Sequence, residues 1–157
     1  MNILVKKLNK DLPLPKYQTS ASAGMDLYAN VESDVVIKSG EFKLIKTGIA
    51  IKTVDEYCEN GIAFRSNKTY EAQVRARSGL ALKHGIGLVN GIGTIDSDYT
   101  GEVGAILINC SDKDFVVHFG DRIAQLVINE IKQANLVETD SLENTQRGNG
   151  GFGSTGE

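Results

Sequence analysis

Tryptophan is absent from this sequence, and proline, cysteine, histidine and methionine each occur only twice. Cys58 and Cys110 stand alone, in neither a CxxC pair nor a Cys/His cluster, which excludes a structural zinc site and a disulfide framework. Both are read as packing residues. His84 and His118 lack the spacing of a metal pair and neighbour no evident nucleophile, so a Ser-His-Asp arrangement has no support and both read as structural. No stretch approaches the roughly 20 apolar residues of a membrane span, and no long apolar core follows Met1-Asn-Ile-Leu-Val-Lys-Lys7. The expectation is a soluble cytoplasmic protein, or one inside a host cell if its gene is viral. Positive charge is also lacking: 17 Lys and Arg against 20 Asp and Glu give a net charge of -3, too little to hold a nucleic-acid backbone. Polymeric nucleic acid is excluded as a partner, although single arginines remain free to grip a small anion.

What is present suits one folded domain of 157 residues, with ordinary apolar and charged fractions and 17 glycines. Short apolar segments recur between turn residues: Ile3 to Val5, Val35 to Ile37, Lys43 to Ile51, Ala72 to Arg75, Gly104 to Asn109, Phe115 to Phe119 and Arg122 to Ile131. Several alternate with period two, and turn signals such as Lys38-Ser-Gly40 and Cys110-Ser-Asp-Lys113 separate them at sandwich or barrel spacing. An all-β, jelly-roll-like sandwich or barrel is expected. One short helix is predicted in Ser78-Gly-Leu-Ala-Leu-Lys-His-Gly85, with Ser78 as its cap and Gly85 as its stop. Residues 55–67 are polar, carry a turn signal at Asn60-Gly61 and read as an extended surface hairpin or loop. Residues 1–143 form the β domain; residues 144–157 are Gly-rich and polar and read as a flexible C-terminal arm.

Three segments hold the residues that chemistry requires. Gly93-Thr-Ile-Asp-Ser-Asp-Tyr-Thr-Gly-Glu102 brings Asp96, Asp98 and Tyr99 together between glycines that let backbone approach a ligand; a polar hairpin braced by its aspartates is the plainer alternative. Arg75-Ala-Arg-Ser-Gly79 offers a cation, a hydroxyl and backbone donors to an anion, or simply a helix start flanked by solvated arginines. The tail Arg147-Gly-Asn-Gly-Gly-Phe-Gly-Ser-Thr-Gly156 contains GxGxxG without a following helix, so it is no dinucleotide turn. It is either a disordered tail or an arm that closes over a nucleotide, Phe152 stacking on a base while Arg147, Ser154 and Thr155 meet phosphates.

Taken in order, Ala23-Gly-Met-Asp-Leu-Tyr-Ala29, Arg77-Ser-Gly-Leu-Ala81, the Gly93 to Glu102 segment, Gly120-Asp-Arg-Ile-Ala-Gln125 and the Arg147 to Gly156 tail resemble the five motifs of the trimeric dUTPase family. The resemblance spans nearly the whole chain. It implies a jelly-roll subunit, a homotrimer whose sites draw on three chains, and Mg2+-dependent hydrolysis of dUTP to dUMP and pyrophosphate, which lowers dUTP and supplies dUMP for thymidylate synthesis. It further implies that Asp96 deprotonates a water attacking the α-phosphorus, and that Tyr99 lies beneath the deoxyribose. Asn90 with Gly93, Thr94 and Ile95 would read the uracil, Phe152 covering it. Arg77, Ser78, Gly79 and Gln125 would cradle the inner phosphates, with Arg147, Gly153, Ser154 and Thr155 clamping the terminal one. Mg2+ would ride mainly on phosphate oxygens, with Asp26 reaching it through water.

Two departures stand out. Ala76 occupies a place where the family usually has Pro, which loosens the backbone without deleting a donor. Residues 55–67 exceed the usual connection, either as a plain insertion or as a contact for a regulatory protein. The rival readings are the dCTP deaminase branch of the same fold and a dUTPase-like binding or regulatory module. Asp96, Tyr99, Arg147 and Phe152 together favour working chemistry.

Overall fold

Two four-stranded antiparallel sheets dominate the computed structural model, which describes residues 2–54, 56–59, 62–65 and 68–151; the side chains of residue 54 and of residues 56–59 and 62–65 lie outside that description. The first sheet joins β1 (Asn2–Lys7), β4 (Phe42–Val54), β10 (Glu102–Asn109) and β8 (Ile86–Leu88), in the order β1-β4-β10-β8. The second joins β2 (Met25–Tyr28), β12 (Arg122–Ile131), β7 (Thr69–Arg75) and β9 (Ile92–Ile95), in the order β2-β12-β7-β9. A small pair, β3 (Val35–Ile37) with β11 (Phe115–Val117), and the hairpin β5 (Glu56–Glu59) with β6 (Ile62–Arg65) complete the strands. With the single helix α1 (Ser78–His84), this is the jelly-roll-like, nearly all-β architecture expected.

Alternation explains how the sheets face each other. In β10 the residues Val103, Ala105, Leu107 and Asn109 are buried while Glu102, Gly104, Ile106 and Ile108 turn outward. The inward set meets Ile45, Ile49 and Ile51 of β4, Leu27 of β2, Val74 of β7 and Ile123 and Leu126 of β12 in one apolar core. Removal of these side chains from water is the main force holding the sheets together. One polar side chain inside is fully satisfied. Asn109, with no exposed surface, donates to the carbonyls of Ile37 at 2.8 Å and Lys113 at 2.7 Å and accepts from Ser111 N–H and Oγ–H, pinning the corner after β10.

Two β-bulges interrupt the ladders. Between Glu102↔Ala50 and Gly104↔Lys46 the β4 strand carries two extra residues, which is possible because Gly48 adopts φ 69 there. Between Arg122↔Tyr28 and Ala124↔Leu27 the extra residue lies on β12.

Some expectations needed revision. Ser78 is the first helical residue, not the cap; Arg77 takes the cap position with φ -92 and ψ 124, and no side chain caps the helix. Gly85 ends the helix as expected, its left-handed conformation directing its N–H to Ala81 O. Cys110 is exposed and does not pack, because it follows β10 on the corner that Asn109 pins. Cys58 has no described side chain. The expected hairpin over 55–67 is present as β5 and β6, paired from Glu56↔Arg65 to Glu59↔Ile62, while its Asn60-Gly61 turn lies outside the described residues. Among the described residues no helix is long and apolar enough to cross a membrane.

Candidate active site

A cleft of about 500 Å3 opens beside the outward face of β4 and β10. Asn90, Gly93, Thr94, Ile95, Asp96 and Tyr99, all singled out in the sequence, line it together with Val74, Leu44, Lys46 and Glu102. The segment is not a two-stranded hairpin. Its β9 half pairs with β7 of one sheet and its β10 half with β4 and β8 of the other, so residues 96–101 bridge the sheets at the cleft's edge. A turn fixes the two chemical residues relative to each other, Tyr99 N–H donating to Asp96 O at 3.1 Å. Asp96 is exposed to solvent at the rim of the cleft. The Tyr99 ring is half exposed and its hydroxyl donates to Glu102 O at 3.1 Å.

A second pocket, about 390 Å3, is lined by Gln18, Ser22, Gly24, Asp26, Arg77, Ser78, Gly79, Arg122 and Gln125 among others. At its base is an ion cluster built on the nearly buried Asp26. Asp26 Oδ1 pairs with Arg77 Nε at 3.0 Å and its Oδ2 with Arg122 Nη1 at 3.1 Å, while Gln18 Nε2 reaches Oδ2 at 3.4 Å. Arg77 also donates to the carbonyl of Arg122 at 2.8 Å. Both guanidinium groups are therefore oriented by one carboxylate, leaving a cationic lining aimed at the pocket. Gln125 is placed by two contacts: its Nε2 donates to Ala76 O at 2.9 Å, and its side chain lies so close over Gly24 that a Cβ there would collide with its amide. Gly24 is thus a glycine for reasons of space.

Among the described residues no group of three His, Cys, Asp or Glu side chains converges as a metal cage. Asp26 is the one carboxylate lining the second pocket. A water-mediated metal contact from it would have to use the lone pairs that the arginines leave. Gln18 and Arg122 were missed in the sequence; Arg122 lay within a quoted motif, but nothing in its spacing distinguished it from a solvated surface arginine.

The two pockets share no lining residue. The cleft uses β9, one edge of the second sheet, while the cationic pocket draws on β2 at the other edge, on β12, and on residues 77–79 just past the far end of β7. Arg147 lines neither; it is exposed in a turn, its Nε donating to Gly150 O at 3.0 Å. Phe152, Gly153, Ser154 and Thr155 lie outside the described residues. His84 packs its ring against Phe115, with centroids 5.6 Å apart. His118 forms a surface pair with Asp34, Nδ1 to Oδ1 2.8 Å, and that hydrogen bond and charge raise its pKa above the ordinary value.

Comparison with known proteins identifies the family. The dUTPase family model matches residues 10–156. The deoxyuridine 5'-triphosphate nucleotidohydrolase of Hydrogenobaculum sp. is 49% identical over 99% of each chain, and that of Nautilia profundicola 48% identical over 100% of each. Among solved structures, the dUTPase of Staphylococcus bacteriophage 80alpha with dUPNHPP is 25% identical, covers 99% of both chains and superposes with a TM-score of 0.81. A mutant dUTPase from phage phi11 of S. aureus, described with a structural Mg(II) ion, shares the fold with a TM-score of 0.74 at 20% identity over 92% of this chain and 100% of that one. With matches spanning nearly its entire length, the chain belongs to the dUTPase family.

Proposed function

We propose that this dUTP-hydrolysing enzyme carries out its reaction between subunits of a homotrimer, the cleft of one chain supplying the nucleoside half of a site and the cationic pocket of another the phosphate half. The observation that carries the reading is the separation of the two pockets. Asp96 follows Ile95, which pairs with Ala72, whereas Arg77 lies past Arg75 at the other end of the β7–β9 ladder, so three residues of strand, about 10 Å at about 3.3 Å each, lie between them. A base at Asp96 and a cradle for the inner phosphates have to stand within a few ångströms of one α-phosphorus, so a single chain does not close the site on itself. Uncovered apolar surface supports the same reading. Phe42 and Leu44 are 60% and 62% exposed on the outward face of β4, and Leu136, Val137 and Leu142 of the extended tail are 91%, 78% and 86% exposed. A monomer rarely leaves so much apolar surface bare.

Within this site Asp96 takes a proton from water as its oxygen bonds to the α-phosphorus; the bond from that phosphorus to the bridging oxygen breaks, and pyrophosphate leaves with the electron pair. Asn90, Gly93, Thr94 and Ile95 present polar backbone and one amide to the uracil edge. A base with the wrong donor pattern would leave those groups unpaired, at a cost of about 1–3 kcal/mol each. Tyr99 lies beneath the sugar, excluding a 2'-hydroxyl. Arg77, Ser78, Gly79 and Gln125 hold the inner phosphates, with Arg77 and Arg122 aimed by Asp26, and charge developing on the leaving group meets donors already in place. Arg147, Gly153, Ser154 and Thr155, with Phe152 over the base, belong to the arm of residues 144–157 and complete a neighbour's site. Mg2+ would be held mainly by the substrate's phosphate oxygens, with Asp26 the residue that would reach it through water, and would supply neutralisation of phosphate charge; its reluctance to shed water suits a site with no carboxylate cage among the described residues. Residues 1–143 form the catalytic β domain, which we place in the cytoplasm.

Mixing two inactive variants tests the shared site. Asp96→Asn and Arg77→Ala trimers, each nearly inactive alone, are unfolded and refolded together. If Asp96 and Arg77 of one site come from different chains, random assembly leaves about a quarter of the sites with both residues intact, and pyrophosphate release returns to about a quarter of wild type. No recovery in mixed trimers would place both residues in one chain's site and overturn the reading.

A further inference from the structure

We infer that Glu102 is a positioning residue for sugar discrimination, holding the ring of Tyr99 through its own backbone while its carboxylate locks that backbone to the β4 bulge. The inference rests on the reading that Tyr99 lies beneath the deoxyribose. The Tyr99 hydroxyl donates to Glu102 O at 3.1 Å, and the ring folds back over Gly101, where an added Cβ would stand 2.6 Å from ring carbon Cζ. The ring's attitude therefore depends on where the start of β10 lies. That start is fastened by the Glu102 side chain. Its Oε1 accepts from Gly48 N–H at 2.9 Å and from Asn30 Nδ2 at 3.4 Å, and Asn30 Oδ1 in turn accepts from Asn9 Nδ2 at 2.8 Å. Lys46 Nζ stands 3.4 Å from Oε2, but it is 65% exposed against 18% for Glu102, so solvent screens that pair and the amide contacts dominate.

Gly48 lies where β4 carries its two extra residues, and no β10 residue pairs with it, although its carbonyl accepts from Leu8 and Asn9 N–H. Without the Glu102 carboxylate its N–H loses its acceptor and the bulge loosens, leaving the Glu102 carbonyl held only by the Ala50 pairing and the Thr47 bond to Val103 O. Asp96 is held from its other side. It follows Ile95, which is buried and paired with Ala72 of β7, so the ring can slacken over the sugar while the carboxylate stays in place. Substrate choice and turnover are thereby separable.

The test compares kcat and KM for dUTP and UTP in full-length wild type, Glu102→Ala, Glu102→Gln, Tyr99→Phe and Tyr99→Ala. Glu102→Ala is expected to lower the dUTP over UTP ratio of kcat/KM by about fivefold, the weight of one lost hydrogen bond, with the larger share of the change in KM and the smaller in kcat. Glu102→Gln keeps an oxygen for Gly48 N–H and should restore the ratio. Tyr99→Phe removes only the hydroxyl and should repeat the loss, which carries the test should Glu102→Ala not fold. A collapse of discrimination in Tyr99→Ala with an unchanged ratio in both Glu102→Ala and Tyr99→Phe would overturn the role of Glu102 while sparing that of Tyr99. An unchanged ratio in Tyr99→Ala would overturn the reading of the ring, and the inference with it.

Discussion

Replacing Asp26 with Asn removes the one charge that aims two guanidinium groups into the phosphate pocket. The carboxylate is 11% exposed, and each oxygen receives one arginine, Arg77 at 3.0 Å and Arg122 at 3.1 Å. An amide offers one oxygen and one NH2 group, so one arginine must face a donor. Hydrogen bonds to charged partners contribute about 1.5–3 kcal/mol each. Arg77 is 24% exposed and keeps most of that, while Arg122, at 50%, is screened towards the lower end. The combined loss is about 2–4 kcal/mol, divided between folding and the aim of the arginines. If half falls on the transition state, kcat/KM for dUTP drops about 5- to 30-fold, and the thermal midpoint falls as well. Pyrophosphate release and thermal unfolding measure the two shares. A Mg2+ titration separates bracing from metal binding: a bracing role leaves the defect unchanged as Mg2+ rises. Full recovery at high Mg2+, or wild-type kinetics with a wild-type midpoint, would refute the argument.

Asp96→Asn should lower kcat on the order of 10²- to 10⁴-fold with little change in KM, because the base is lost while both pockets remain; single-turnover assays check it, and near-normal turnover would remove Asp96 from its role. Deleting residues 147–157 should abolish turnover but leave the sedimentation coefficient of the assembly essentially unchanged, and an unchanged rate would make the arm passive. Asn109→Ala strips the buried carbonyl of Ile37 of its side-chain donor, while Lys113 O keeps Ser111 Oγ–H, and should cost about 1–3 kcal/mol, read as a lower denaturation midpoint. The hydrogen bond that His118 donates to Asp34 raises the pKa of His118, so the pair stabilises the fold below the ordinary histidine value of about 6.5 and that stability is lost as pH rises through the raised value. Asp34→Asn should therefore lower the melting temperature at pH 5.5 and leave it unchanged at pH 8.5.

Much of this molecule was legible where side chains alternate on one half-buried face. The strands β3, β4, β10, β11 and β12 were each foreshadowed by an apolar segment, and the helix by its Leu-Ala run and terminal Gly85. Three strands were not. β2 contains the buried Asp26, whose charge hides the strand until its arginine partners are known, and they arrive from residues 77 and 122. β8 and β9 are only three and four residues long, each interrupted by a glycine, so neither presents a period. Ser78 looked like a cap by residue type, yet cap identity depends on the backbone of Arg77, which leaves β7 extended and turns into the helix one residue earlier than the serine suggests. The cleft residues were found together because they are contiguous in sequence. The pairing of Asp26 with Arg122 was not, because it is set by sheet order.

The bulge in β12 shows how that order becomes a site. In a regular strand Arg122 and Gln125, three apart, would project from opposite faces. Both nonetheless line the cationic pocket. The extra β12 residue between Arg122↔Tyr28 and Ala124↔Leu27 shifts the parity, so Gln125 stands opposite Asp26 and Arg122 opposite Tyr28, two residues on and on the same face of β2. The cost of the irregularity is offset by the core, since Ile123 and Ala124, consecutive at the bulge, are both buried. A period-two reading of Arg-Ile-Ala-Gln would have sent one of the two polar side chains inward, where neither has a partner. The bulge, and not a turn or a loop, is what lets one central strand deliver an arginine and an amide to the same cationic pocket while still closing the core behind them.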